Sequence, residues 1–198
     1  MSQAKTLTEK ELRKVLNFVA LRKHATRNKT MLLVTHWAGM RVGEVAALRI
    51  GDVLAADGTI KSEMRLLAEQ TKGNHSRTVF LPEKLRKELL AYLQHRFNTK
   101  QLVAVTYMDA MQKPLFNTQK REGFNANTLC QHFHWLYKQA GVEGASSHSG
   151  RRSFITGLAN KGIGARTLMA LAGHRSLAVT QKYIDVNDEM LRKAVELV

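Results

Sequence analysis

The chain has 198 residues, with 31 Lys and Arg against 16 Asp and Glu and a formal charge of +15. Hydrophobic residues make up 44% and proline occurs only twice, which excludes collagen-like, low-complexity and intrinsically disordered chains. One cysteine, Cys130, excludes an internal disulfide and a cysteine-cluster zinc site. No apolar run approaches the roughly 18 residues of a membrane span, and the opening MSQAKTLTEKEL lacks the apolar core of a signal peptide. The expectation is a soluble cytoplasmic protein of one domain, residues 1–198, with no membrane partner. Its basic surface suits a polyanion, most often nucleic acid.

A first helix opens at Thr8, where Thr8 and Glu11 fit a capping box and Leu12, Val15, Leu16 and Val19 form one apolar stripe. The second runs from about Asn28 to Ala38, with Gly39 placed to end it. A short helix over Val42 to Leu48 follows. The texture then changes to short strands at Val53–Leu54, Met64–Ala68 and Thr78–Leu81. A turn at Asp57–Gly58 and the polar loop TKGNHS, residues 71–76, connect them. Pro82 sits at the start of a helix reaching about Phe97, and residues 98–125 read as irregular.

The remainder reads as helical. Leu129, Phe133, Leu136 and Ala140 line one face of a helix that Gly141 ends. Further helices fit Arg151–Asn160, Ala165–Ala172 and Leu177–Ile184. A last helix, residues 188–198, carries Met190, Leu191, Ala194, Val195 and Val198. The expected fold class is α+β, mostly helical, with a small three-stranded antiparallel sheet inserted early. Cys130, beside the Leu129 and Phe133 face, reads as a buried inert thiol.

Metal and nucleotide chemistry find no support in the motifs. The eight His residues are scattered, and no HExxH, cysteine pair or acidic two-metal cluster occurs. A GxxxxGK[ST] phosphate loop is missing too, so neither ATP nor any other cofactor is expected. What remains is a set of cationic and proton-transferring residues. Arg41 follows the helix-ending Gly39, Lys72 sits at a hairpin tip, and His148 and Arg151 stand three apart at the mouth of a helix. His174 follows a helix-ending glycine, with Tyr183 nine residues later.

Each of these is ordinary alone, but together they suit one reaction. Cleaving a phosphodiester with a protein hydroxyl needs cations on the nonbridging oxygens, an in-line nucleophile and an acid for the leaving oxygen. Arginine presents a planar fork to a phosphate, and two Arg with two His can supply the charge neutralisation that metals provide elsewhere. A phenol, with an ordinary pKa of about 10, needs a positive field or a base before it attacks.

These residues carry a resemblance to the catalytic domain of the tyrosine recombinases, the group of phage integrases, Xer recombinases and fimbrial-switch invertases. It extends from about Thr6 to Val186. HWAGMRVGEVAAL, residues 36–48, is similar to the family's first arginine box and supplies Arg41, with Glu44 in support. TKGNHSRTVFL, residues 71–81, resembles the strand–turn–strand that carries a catalytic lysine, Lys72. HSGRRSF, residues 148–154, resembles the His-x-x-Arg box, with His148 and Arg151. LAGHRSLAVTQKYI, residues 171–184, is similar to the Leu-Gly-His segment and its nucleophile, giving His174 and Tyr183. Two departures stand out: Gly150 and Arg152 replace a Leu and a second His, and Ala172 precedes Gly173.

The resemblance implies a site-specific recombinase that cleaves and rejoins double-stranded DNA through a 3′-phosphotyrosyl bond, without metal or ATP. Arg41 and Arg151 would clamp the phosphate, His174 would bond it, Lys72 would protonate the leaving oxygen, His148 would transfer a proton near the tyrosine and Tyr183 would attack. It also implies a homotetramer on two DNA sites, with residues 188–198 docking on a neighbouring protomer, and room for an accessory DNA-bending protein. Most relatives carry a separate helical core-binding domain ahead of the catalytic one. This chain has only a few residues before its first helix, as the short invertases do. Two rival readings keep the fold: a DNA-binding regulator with little chemistry, and a nicking-closing topoisomerase that reseals the same strand.

Overall fold

A computed structural model describes residues 4–71, 73–97, 108–119, 122–184, 191–192 and 195–196. Thr8 caps helix α1 (Glu9–Ala20) through the reciprocal bonds read from the sequence. The Glu11 N–H donates to Thr8 Oγ1 at 3.2 Å and the Thr8 N–H to Glu11 Oε2 at 3.0 Å. Val15 and Val19 are its buried face. Helix α2 (Ala25–Trp37) begins three residues earlier than periodicity suggests, because His24 turns into the left-handed region at φ 61° and starts the helix without a side-chain cap.

Met31, Leu32, Leu33 and Val34 of α2 are all buried, so this turn of α2 is apolar all round rather than striped. Three helices account for this by packing around it: α1, α5 (Glu83–Arg96) and α7 (Ser149–Ala159). Helix α6 (Ala126–Gln139) closes the core from another side with Leu129, Phe133, Leu136 and Tyr137, and it packs on α3 (Val42–Ala46). No helix among the described residues is long and apolar enough to cross a membrane.

The sheet has two strands among the described residues, not the expected three. β1 (Glu63–Leu66) pairs antiparallel with β2 (Arg77–Phe80), Glu63 opposite Phe80 and Leu66 opposite Arg77. Val53 instead ends a short helix, α4 (Ile50–Val53), which Asp52 stabilises by accepting the Arg49 N–H at 2.8 Å. Only Leu54 remains extended, and it makes a single bridge to Ile60 across the turn at Gly58. Both residues are buried, so the apolar signal was sound. The local cap decided helix over strand.

Two glycine-ended helices bring the later helices back toward α2. α2 ends at Gly39, whose φ of 63° places it in the left-handed region, and a Cβ there would meet the Phe154 ring of α7. α8 (Ala165–Ala172), with the bounds read from the sequence, ends at Gly173 with φ 60°. A Cβ on Gly173 would fall 2.6 Å from Arg77 Cδ. Helix α9 (Leu177–Gln181) then leads to Tyr183. The expected apolar helix over 188–198 lies mostly outside the described residues; of its stripe, Leu191 and Val195 are exposed.

Candidate active site

The end of α2, the start of α7 and the end of α8 meet at one place. Arg151, 6% exposed, bridges two of them: Nη1 donates to Gly39 O and Nη2 to Ala172 O, each at 2.6 Å. These carbonyls lie at helix C-terminal ends, where the partial charge is negative and a cation is favoured. Arg41, one residue before α3, donates from Nη2 to the next carbonyl, Gly173 O, at 3.1 Å, and from Nη1 to Glu44 Oε1 at 2.9 Å. Two guanidiniums thus lie side by side on consecutive carbonyls.

Glu44 holds the arrangement from beneath. It is 1% exposed and accepts the Arg41 N–H at 2.8 Å. Its two oxygens also accept a bidentate pair from Arg77, Nε at 3.1 Å and Nη2 at 2.7 Å. The third donor of Arg77, Nη1, reaches Leu171 O at 3.1 Å. Burial opposes ionisation of Glu44, but the bonds and charges of Arg77 and Arg41 prevail and hold its carboxyl below the usual range. Three guanidiniums therefore face one carboxylate. The surplus positive charge acts on its neighbours. Burial first, then Arg41, brings Arg151 down to about 9, so it remains charged at neutral pH. Burial and the three arginines push His174 down to about 4, which makes it a neutral imidazole at physiological pH.

His174 is fixed by Thr180, a fully buried residue whose Oγ1 lies 3.0 Å from His174 Nδ1. Its imidazole in turn stacks on the Tyr183 ring, with 5.6 Å between centroids and 25° between planes. Arg41, Arg77, Gly173 and His174 line an open cleft of about 450 Å³, together with Thr71, Gly73, His75 and Ser76 from the β1–β2 loop. A cleft with this much positive charge is suited to hold a phosphodiester.

Of the six residues expected from the sequence, Arg41, Arg151 and His174 converge, and Tyr183 joins them through the His174 ring. His148 stands exposed at the N-cap of α7, one turn before Arg151, with its N–H on Ser146 Oγ at 3.3 Å. Lys72 lies outside the described residues; its neighbours Thr71 and Gly73 line the cleft. The sequence reading missed Arg77 and Thr180. Arg77 had a signal: in a strand, residues two apart share a face, and Val79 of β2 is buried. An arginine facing inward beside it requires a buried anion.

A family model described as the phage integrase family matches residues 5–190. The chain belongs to this family. It is 28% identical over 192 residues to the tyrosine recombinase XerA of Pyrococcus furiosus, which covers 97% of this chain and 61% of that protein. The tyrosine recombinase XerC of Staphylococcus epidermidis is 27% identical over 173 residues, covering 86% of this chain and 53% of its own. The chain spans about three-fifths of the length of the XerA relatives. Among solved structures, the XerA recombinase superposes with a TM-score of 0.74 at 27% identity, over 100% of this chain and 64% of that one. The Tn1549 transposon integrase, solved with a circular intermediate DNA, gives 0.73 at 19% identity over 100% of this chain and 67% of its own, a likeness of fold alone.

Proposed function

We infer that the protein is a site-specific DNA recombinase that breaks and rejoins strands through a tyrosyl phosphodiester. The observation that carries this reading is the juxtaposition of Arg41, Arg151 and His174 with the ring of Tyr183 stacked on the histidine. In this reading the guanidiniums of Arg41 and Arg151 grip the nonbridging oxygens of the scissile phosphate, and neutral His174 donates its free N–H to the same group. The Tyr183 oxygen attacks phosphorus and forms a 3′-phosphotyrosyl bond, giving its proton toward His148. The bond to the 5′ oxygen breaks, and that oxygen leaves as a hydroxyl with a proton from Lys72. A 5′-hydroxyl from a partner strand then attacks the tyrosyl ester. The ester conserves the bond energy, so no ATP enters, and the protein's own guanidiniums neutralise the charge.

DNA is the substrate this reading requires. The formal charge of +15 and the cationic cleft support it, as do the DNA complexes of related integrases. Exchange between two sites calls for a tetramer, with residues 188–198 docked on a neighbouring protomer. Covalent trapping tests the reading. Nicked duplexes tiled across the DNA flanking the gene are incubated with the protein, and a protein–DNA adduct is sought on denaturing gels. An adduct formed by the wild type and lost in Tyr183→Phe is expected. An adduct that survives that substitution overturns the assignment. Full DNA binding with no adduct on any duplex favours a binding regulator.

A further inference from the structure

Arg152 stands where the resembling family carries a second histidine, and the chemistry above gives it no part. The structure gives it two contacts. Its Cζ lies 5.2 Å from the centroid of the Tyr183 ring, over the face. Its Nε donates to Thr6 Oγ1 at 3.2 Å. Thr6 belongs to a tethered segment, because the N–H of Leu7 donates to Ser153 Oγ at 2.7 Å and Ser153 Oγ–H donates to Ser149 O at 2.9 Å. The residues before α1 and helix α7 therefore act as one unit, and Arg152 reaches from it to the tyrosine.

We propose that Arg152 is a positioning residue for the nucleophile, holding the Tyr183 ring beside His174 through a cation–ring contact anchored at Thr6. The proposal rests on the reading of Tyr183 as the attacking group. In-line attack requires the phenol oxygen to sit at one angle to the phosphorus, while the ring can turn about two side-chain torsions. A guanidinium over the π face restrains the ring without engaging the hydroxyl, which stays free to react. An imidazole at position 152 is shorter and is not always charged at neutral pH, so it supplies neither the reach nor the permanent cation.

The test compares the wild type with Arg152→Gln, Arg152→Lys, Thr6→Val and Tyr183→Phe on the nicked duplex that traps. Three readouts are taken: the rate of adduct formation at saturating protein, the salt dependence of DNA affinity, and the ¹⁹F signal of 3-fluorotyrosine placed at position 183. Arg152→Gln is expected to slow the adduct about 2- to 30-fold, the range a cation–ring contact supplies. It should also move the fluorine signal and leave the salt slope unchanged. Arg152→Lys restores the cation and most of the rate. Thr6→Val, which leaves the ring's neighbours in place, slows the adduct less and moves the signal the same way.

A wild-type rate in Arg152→Gln overturns the proposal, as does a slower rate with an unmoved fluorine signal. A salt slope reduced by about 0.9 reassigns Arg152 to a DNA phosphate. Should Arg152→Gln fail to fold, Thr6→Val decides: an unchanged rate and signal there overturn the anchored contact. Loss of the adduct in Tyr183→Phe keeps these outcomes separate from failure of the nucleophile assignment itself.

Discussion

Arg151 and Glu44 are 6% and 1% exposed, and their polar atoms are bonded to three separate helix ends. Tyr183, only partly buried, lies two residues beyond the end of a five-residue helix and is held by ring contacts with His174 and Arg152. Under the proposed function, the same site thus combines a phosphate grip built into the core with a nucleophile held from the side. Rigidity is needed at the first and freedom at the second. A grip for a phosphate must have its charges in place before the substrate arrives, since reorganising them would cost part of the stabilisation they give. A nucleophile that forms and then releases a covalent bond needs room to move between the two.

The largest effect should come from Glu44→Gln. It leaves Arg77 buried without its anion and frees Arg41 from its brace, and breaking one side of a buried pair costs about 3–5 kcal/mol. Urea denaturation measures this directly, and a change under about 1 kcal/mol, the range of an exposed ion pair, would show that the grip is not woven into the core. Next comes Thr180→Val, which keeps the volume and removes the hydroxyl from His174 Nδ1. Adduct formation should slow about tenfold, the equivalent of one ordinary hydrogen bond, with DNA affinity retained. Gel-shift and trapping assays on the same variant separate the two.

A further effect is a pH dependence of stability. Burial lowers His36, His132 and His174 to about 4 in the folded chain, against an ordinary value of about 6.5 when unfolded. The unfolded chain therefore binds more protons between those values, and stability falls as pH drops from about 6.5 to about 4. Glu44, lowered in the folded state, adds a loss at still lower pH. Urea midpoints from pH 7 to pH 4 check the sign; stability that rises on acidification contradicts it.

Local signals carried most of the fold into the sequence. The Thr8–Glu11 box, the glycine ends of α2 and α8, and the apolar stripes of α1 and α6 rest on neighbours within a turn or two, and each stands as read. Features that depend on distant partners were harder to read. Arg77 meets Glu44 across 33 positions, and Arg151 meets Gly39 across 112. Spacing within a motif reveals neither bond. The third strand failed for the opposite reason, since a cap at Asp52 outweighed the apolar pair Val53–Leu54. The residues of the site were legible as a set of cationic and proton-transferring groups, while the anion that organises them was seen only as support.

The most direct test is to find which atom carries the DNA. A trapped adduct would be digested with protease and nuclease, and the nucleotide-bearing peptide sequenced by mass spectrometry. The nucleotide is expected on Tyr183 and on none of the other three tyrosines, Tyr92, Tyr107 and Tyr137. A nucleotide on one of those, or on a serine, would contradict the site described here.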